Sequence, residues 1–307
     1  MGFQEPIQPP RRVTPLEIPA VQSVSALRFP LSREQLVTRV RDALTEDGAF
    51  NDITTIATVH SDRRARGKLV ARQAGVVAGI PLALETFRQL DPKISMRVDA
   101  EDGRRVQKHD TILFLTGHAR GMLSAERVAL NFLQRLSGVA TLTSQYVEAV
   151  RGTRAKILDT RKTTPGWRSL EKYAVRAGGG TNHRMDLSSS VLIKDNHLAA
   201  VDGNVALAIQ RARRMAPQEA RVEIECDSIE QVEAAVACGA DIILLDNMPP
   251  EQMKECVTLV NRRALVEASG GVTLERVRAI AESGVDWISI GALTHSSPAT
   301  NMALDFE

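Results

Sequence analysis

Beyond Arg154 the chain alternates short apolar runs with amphipathic ones, and this alternation restricts its fold more than any other feature. The apolar runs cover 156–159, 191–194, 222–225, 242–246, 264–267 and 287–290. Helical spacing of apolar residues fills the stretches near 203–215, 229–238, 250–260 and 273–283. Strands that alternate with helices run parallel, joined by crossovers. Each run also ends on polar residues or glycine: Asp159 to Lys162, Lys194, Glu225, Asp246, Ser269-Gly270-Gly271 and Gly291. In α/β barrels the chemistry sits at that rim. Six units fall short of eight, so the spacing predicts an incomplete or distorted barrel rather than a regular one. A doubly wound open sheet is the alternative, which periodicity does not separate from it.

The preceding stretch reads differently. Ser32 and Gln35 form a capping box before the helical stripe Leu36, Val37, Val40 and Leu44. Short strands are expected at 67–71, 76–80, 94–98 and 111–115, then a helix from Ser124 to about Val150 with a potential bend at Ser137-Gly138. Residues 1–27 hold Pro6, Pro9, Pro10, Pro15 and Pro19 and lack the apolar stretch of a signal peptide, so they read as a mobile arm.

Composition narrows the function. Hydrophobic residues at 43% mark a globular chain, and a net charge of +2 implies no polyelectrolyte partner. Aromatic content of 4% argues against base-stacking platforms for single-stranded nucleic acid. No apolar stretch is long enough to span a membrane. Cys226, Cys238 and Cys256 show no metal-ligand spacing and read as buried, reduced thiols of a cytoplasmic protein.

Charge is concentrated locally. The segment 154–197 holds nine Lys/Arg against four Asp/Glu, a local net of +5. Its basic residues interleave with glycine, in Arg161-Lys162-Thr-Thr-Pro-Gly166 and again from Gly178 to His183-Arg184. A solvated helix face needs no such backbone freedom, whereas a loop that wraps an anion does. Ser269-Gly270-Gly271 and Gly291 close the last two strand–loop units, where barrels commonly hold phosphate on backbone N–H groups. Glu223 and Glu225 share one strand face, and Asp246 ends the next strand. Carboxylates at a rim beside a phosphate grip suit Mg²⁺, with salt-bridged structural acids as the alternative. His197 is expected to anchor its loop. Lys194, at a strand end, also fits the Schiff-base lysine of a barrel aldolase, a different reaction class.

Taken together, the motifs around Leu158–Gly166, Gly178–Arg184 and Leu192–His197 resemble those of the quinolinate phosphoribosyltransferase family. Glu126–Leu133, Leu136-Ser-Gly138, Val222–Glu225, Leu245-Asp-Asn247 and Ser269–Gly271 extend the likeness from about Leu31 to the C-terminus. The resemblance implies a small N-terminal α/β sandwich domain (28–150, completed by 298–307) and an incomplete, six- or seven-stranded TIM-like α/β barrel domain (151–297). It implies conversion of quinolinate and phosphoribosyl pyrophosphate to nicotinate mononucleotide, pyrophosphate and carbon dioxide, with Mg²⁺. It also implies a homodimer whose sites are shared between subunits. By the same resemblance Arg127 would reach quinolinate from the partner subunit, and Arg161, His183 and Arg184 would line its pocket. Lys162 and Lys194 would sit near the reacting centre, and Glu225 and Asp246 would hold Mg²⁺ or the ribose hydroxyls. Ser269, Gly270, Gly271 and Gly291 would cradle the 5-phosphate, with Thr160 supporting the first loop. A paralogue of the same fold from the molybdenum locus is the near rival. Two departures stand out. Asn51 replaces a usual glycine, with a left-handed turn expected there because Asn tolerates φ > 0. Met185 to Ser190 replaces a stretch that commonly contains Gly and Asp.

Overall fold

The computed structural model describes residues 27–306, so the Pro-rich arm lies outside the described residues. The chain runs through α1 (Arg33–Glu46), α2 (Ile53–Thr58), β1 (Arg64–Ala71), β2 (Gly75–Val76), α3 (Ile80–Leu90), β3 (Ser95–Val98), β4 (Arg105–Val106), β5 (Thr111–His118) and α4 (Ala119–Ala149). Next come β6 (Lys156–Leu158), α5 (Arg168–Ala177), β7 (Val191–Ile193), α6 (Asp195–Ala199), α7 (Val205–Met215), β8 (Val222–Cys226), α8 (Ile229–Ala237) and β9 (Ile242–Asp246). It ends with α9 (Pro250–Val260), β10 (Leu265–Ser269), α10 (Leu274–Glu282), β11 (Trp287–Ser289), α11 (Ala292–His295) and β12 (Met302–Phe306). Contacts divide these residues into two units. One comprises 27–148, 159–183 and 291–306, the other Ala149–Leu158 and Arg184–Ile290.

In the first unit an antiparallel sheet of order β12-β1-β5-β3 packs its apolar face on α3 and α4. The C-terminal strand completes it, Met302 pairing with Ala71 and Phe306 with Gly67. Leu69, Phe87, Leu113, Leu115, Met122 and Leu133 are fully buried in this core, each worth about 1.5–3 kcal/mol for removal from water. The capping box forms as expected, the Gln35 amide donating to Ser32 Oγ over 3.2 Å.

Three local expectations are corrected. Residues 80–90 form α3 rather than the end of a strand, because Gly79 at φ 107° turns the chain and Pro81 starts a helix well. Asn51 closes a single 3-10 turn, and the left-handed residue is Gly48 at its N-cap, φ 65°, so no positive φ falls on Asn51. α4 runs unbroken through Ser137-Gly138. That pair is a crossing point instead: Ser137 Oγ accepts from the Ala78 amide at 2.9 Å, and Pro298 O presses where a Gly138 Cβ would stand.

The second unit holds a parallel six-stranded sheet, order β6-β11-β10-β9-β8-β7. The first two strands in sequence occupy opposite edges. That is the cyclic order of a barrel cut between β6 and β7, whereas a doubly wound sheet places its first strand centrally. The incomplete barrel is therefore the fold. Cys226 and Cys256 are buried free thiols, but Cys238 is only half-buried, since it sits at the C-cap of α8 rather than on a packed face. Among the described residues, no helix is long and apolar enough to cross a membrane.

A methyl group at Gly138 would lie 2.1 Å from Pro298 O. Gly138→Ala is therefore expected to lower the unfolding free energy by about 1–3 kcal/mol or more, read from urea denaturation.

Candidate active site

Register decides which strand residues share a face. Glu223 pairs with Ile242, Glu225 with Leu244, Leu244 with Glu267, and Asp246 with Ser269. Laterally paired residues project to the same side, so Glu223, Glu225, Asp246, Glu267 and Ser269 all share one face. Val222, Ile224, Cys226, Ile243, Leu245, Val266 and Ala268 pack on the other. Glu223 and Glu267 are almost completely buried, with carboxylate oxygens within 4.8 Å of one another. Glu225 and Asp246, nearer the C-terminal ends of their strands, are partly accessible.

Around that rim, Lys194 follows β7 and forms an ion pair with Glu225. Its amide donates to His197 Nδ1 at 2.9 Å, so His197 does anchor the loop. Asn247, in the left-handed region at φ 56°, donates from Nδ2 to Asp246 Oδ2 at 2.8 Å and from its amide to Ser269 O at 3.0 Å. Gly270 has φ 89°, and a Cβ there would sit 2.2 Å from Asn247 Oδ1, so only glycine fits. Arg276 Nη1 donates to Gly271 O at 3.0 Å and braces the same loop. Arg184 donates from Nη1 to Ser190 O at 2.9 Å, closing the 185–190 stretch into a turn. Arg184, Lys194, Glu225, Asp246, Ser269, Gly270 and Gly271 thus belong to the barrel unit.

Thr160, Arg161, Lys162, His183 and Gly291 belong to the other unit, with Arg127 exposed on α4. Thr160 Oγ1 accepts from the Lys162 amide at 3.1 Å. The Lys162 stem passes Gly291 closely, a Cβ there lying 2.9 Å from Lys162 Cδ. Thr294 Oγ1 donates to Lys162 O at 2.7 Å. Arg161 carries a buried Nε–H with no hydrogen-bond partner. A buried donor left unmade costs about 1–3 kcal/mol, which a ligand acceptor would recover.

Underneath these loops lies a charge network that the sequence did not disclose. Asp159 is fully buried and accepts from the Lys172 ammonium, from Asn182 Nδ2 at 2.5 Å and from the His183 amide at 2.9 Å. Lys172 also donates to His183 O at 3.0 Å. Burial pushes the Asp159 carboxyl up and the Lys172 ammonium down, and their mutual contact opposes both shifts. Removing one member of such a pair costs about 3–5 kcal/mol, because the other charge is stranded. Glu171, one residue before, accepts from the Thr164 amide at 3.0 Å, Thr164 Oγ1 at 2.9 Å and Arg135 Nη2 at 2.7 Å. Tyr173, one residue after, donates to Asp102 Oδ2 at 2.5 Å. Asp159, Glu171, Lys172, Asn247 and Glu267 were all missed as site residues. For Glu267 the signal was available, since it alternates with Ser269 as Glu223 does with Glu225. For Glu171 and Lys172 it was not, because charged neighbours in a short helix ordinarily face water.

Residues 52–137 match the model of the quinolinate phosphoribosyl transferase N-terminal domain, and residues 139–305 match that of its C-terminal domain. The chain is 47% identical over 274 residues to the nicotinate-nucleotide pyrophosphorylase (carboxylating) of Mycobacterium leprae, covering 87% of this chain and 95% of that protein. It is 42% identical over 260 residues to a probable enzyme of the same name from Bacillus subtilis, covering 85% and 89%. The solved nicotinate-nucleotide pyrophosphorylase of Ehrlichia chaffeensis superposes with a TM-score of 0.84 at 41% identity, covering 90% of this chain and 99% of that one. That of Francisella tularensis superposes with a TM-score of 0.84 at 36% identity, covering 91% and 99%. With both domain models matched in order and close relatives aligned over nearly their full length, this chain belongs to the quinolinate phosphoribosyl transferase family.

Proposed function

We propose that this chain is the decarboxylating quinolinate phosphoribosyltransferase of NAD biosynthesis. It joins quinolinate to phosphoribosyl pyrophosphate and yields nicotinate mononucleotide, pyrophosphate and carbon dioxide. Family membership carries the reaction, and the single supporting observation in the structure is the buried, unpartnered Arg161 Nε–H on a held loop. A dianionic pyridine supplies the acceptors that such a donor lacks.

Each residue then has a task. Arg161, His183 and Arg184 grip the two carboxylates and orient the ring nitrogen toward the anomeric carbon. As that C–N bond forms, the bond to pyrophosphate breaks, and Lys162 and Lys194 stabilise the charge that grows on the leaving group. The ring is now a pyridinium, and its positive nitrogen stabilises the carbanion left when the adjacent carboxylate departs as carbon dioxide. A proton then takes the vacated position. Backbone N–H groups of Ser269, Gly270, Gly271 and Gly291 hold the 5-phosphate, helped by the glycine conformations at 270 and 271. Precise placement and exclusion of water supply the remainder of the rate.

The donor set at two strand ends fits Mg²⁺. Glu225 and Asp246 offer the all-oxygen coordination that this ion takes, with room for water and substrate oxygens. Mg²⁺ would neutralise pyrophosphate as it leaves. Glu225, which is paired with Lys194, would be one of the two residues that hold the ion. We also place the protein in the cytoplasm, where its free thiols stay reduced. We read the assembly as a homodimer in which exposed Arg127 reaches the partner's quinolinate.

The pure protein incubated with quinolinate, phosphoribosyl pyrophosphate and Mg²⁺ should release one carbon dioxide per mononucleotide formed. Absence of both products would refute the assignment, and borohydride trapping of Lys194 by a carbonyl substrate would point to an aldolase instead. Arg184→Ala should lower kcat/KM for quinolinate by about tenfold to hundredfold, the worth of a charge-assisted contact, with an unchanged circular dichroism spectrum. Arg127→Ala subunits mixed with Lys162→Ala subunits should regain activity that neither variant has alone. No recovery, with mixed dimers demonstrated, would argue for sites complete within one subunit.

A further inference from the structure

We infer that Glu171 and Lys172 are positioning residues for quinolinate recognition. Glu171 sets the loop carrying Arg161 and Lys162, and Lys172 sets the loop carrying His183; the inference rests on the reaction proposed above. Neither side chain faces water, and both are almost completely buried on α5. A buried ion pair is no better for stability than well-packed apolar residues of the same volume. Two consecutive buried charges on a short helix therefore call for another reason, and their partners supply it.

Both side chains reach loop backbone. Glu171 takes the Thr164 amide on Oε2 and the Thr164 hydroxyl on Oε1, where Arg135 also donates. Arg135 in turn donates to Thr294 O and, at 3.1 Å, to Ser297 O, while Thr294 Oγ1 donates to Lys162 O. The chain around Lys162 is thereby held from two directions, by Glu171 through Thr164 and by Arg135 through Thr294. Lys172 holds the His183 carbonyl directly and the His183 amide through Asp159. Both backbone polar groups of His183 are thus fixed by one ion pair, and Asn182 is tied to both of its members, to Asp159 Oδ2 and to Lys172 O.

Neighbouring residues on a helix point in directions about 100° apart. Two adjacent positions on one turn can therefore address two loops and fix their spacing. For a ligand with two carboxylates at a set separation, that spacing determines whether both are met at once.

The test compares wild type with Glu171→Gln, Lys172→Met, Thr164→Val and Asn182→Ala. Folded fraction is taken from circular dichroism and thermal melts, and each substrate is varied separately. Glu171→Gln and Lys172→Met should raise KM for quinolinate about tenfold or more, with KM for phosphoribosyl pyrophosphate within about twofold, because misplaced gripping groups weaken one substrate selectively. A purely structural role would lower kcat with the folded fraction and leave both KM values alone, and that pattern overturns the inference. If the two charged-residue variants do not fold, Thr164→Val and Asn182→Ala decide it, since they weaken each clamp from the loop side. A rise in quinolinate KM of about threefold supports the inference, and an unchanged value overturns it. Wild-type protein that yields no carbon dioxide from quinolinate removes the reaction and this inference together, whereas active wild type with unmoved variant KM values removes only the inference.

Discussion

A carboxylate with no access to water sits directly beneath the loop that carries His183. Asp159 ends the first barrel strand's run, and its side chain is held by Lys172 on α5 and by Asn182 and His183 on the segment that follows that helix. Desolvation works against its charge, so the ionised form persists only while Lys172, Asn182 and the His183 amide stay in place. That demand fixes where α5 lies along the loop and how the chain leaves it at Gly178. There the backbone passes so close to Ala140 O that no side chain would fit. Local geometry at His183 is thus a consequence of burying one acid.

The barrel unit meets its constraints by other means. Its interior face carries acids at successive positions of neighbouring strands, and register alone brings Asp246 level with Ser269. The glycine loop after β10 is shaped by Asn247 from the preceding strand, which occupies the space a side chain at Gly270 would need. Glycine here answers two separate demands, the crowding by Asn247 and a positive φ.

Much of this was legible beforehand. The alternation of apolar runs located all six barrel strands to within a residue or two, because parallel strands buried on both faces leave long apolar signatures. The basic, glycine-rich loops stood out because charge and backbone freedom seldom coincide without an anion. The short helices α2, α6 and α11 escaped, and so did two longer ones. α3 begins within apolar residues, Val76 to Ile80, whose pattern suits a strand equally well, and only the turn at Gly79 separates the two. α5 has a strongly two-sided pattern, but its buried side includes Glu171 and Lys172, so counting apolar residues underestimates it.

By itself the sequence determined the strand–helix rhythm, the capping box at Ser32, the cationic loops and the acid parity along β8 and β9. These depend on residue type and on spacing within one segment, which a linear string contains in full. Tertiary structure alone decided that the sheet runs in cyclic order and is cut between β6 and β7. It also decided the register of the C-terminal strand against β1, Met302 opposite Ala71 and Phe306 opposite Gly67, and that Glu171 and Lys172 turn inward. Each of these depends on which distant backbone groups need partners once water is gone, and those partners exist only after the chain has folded.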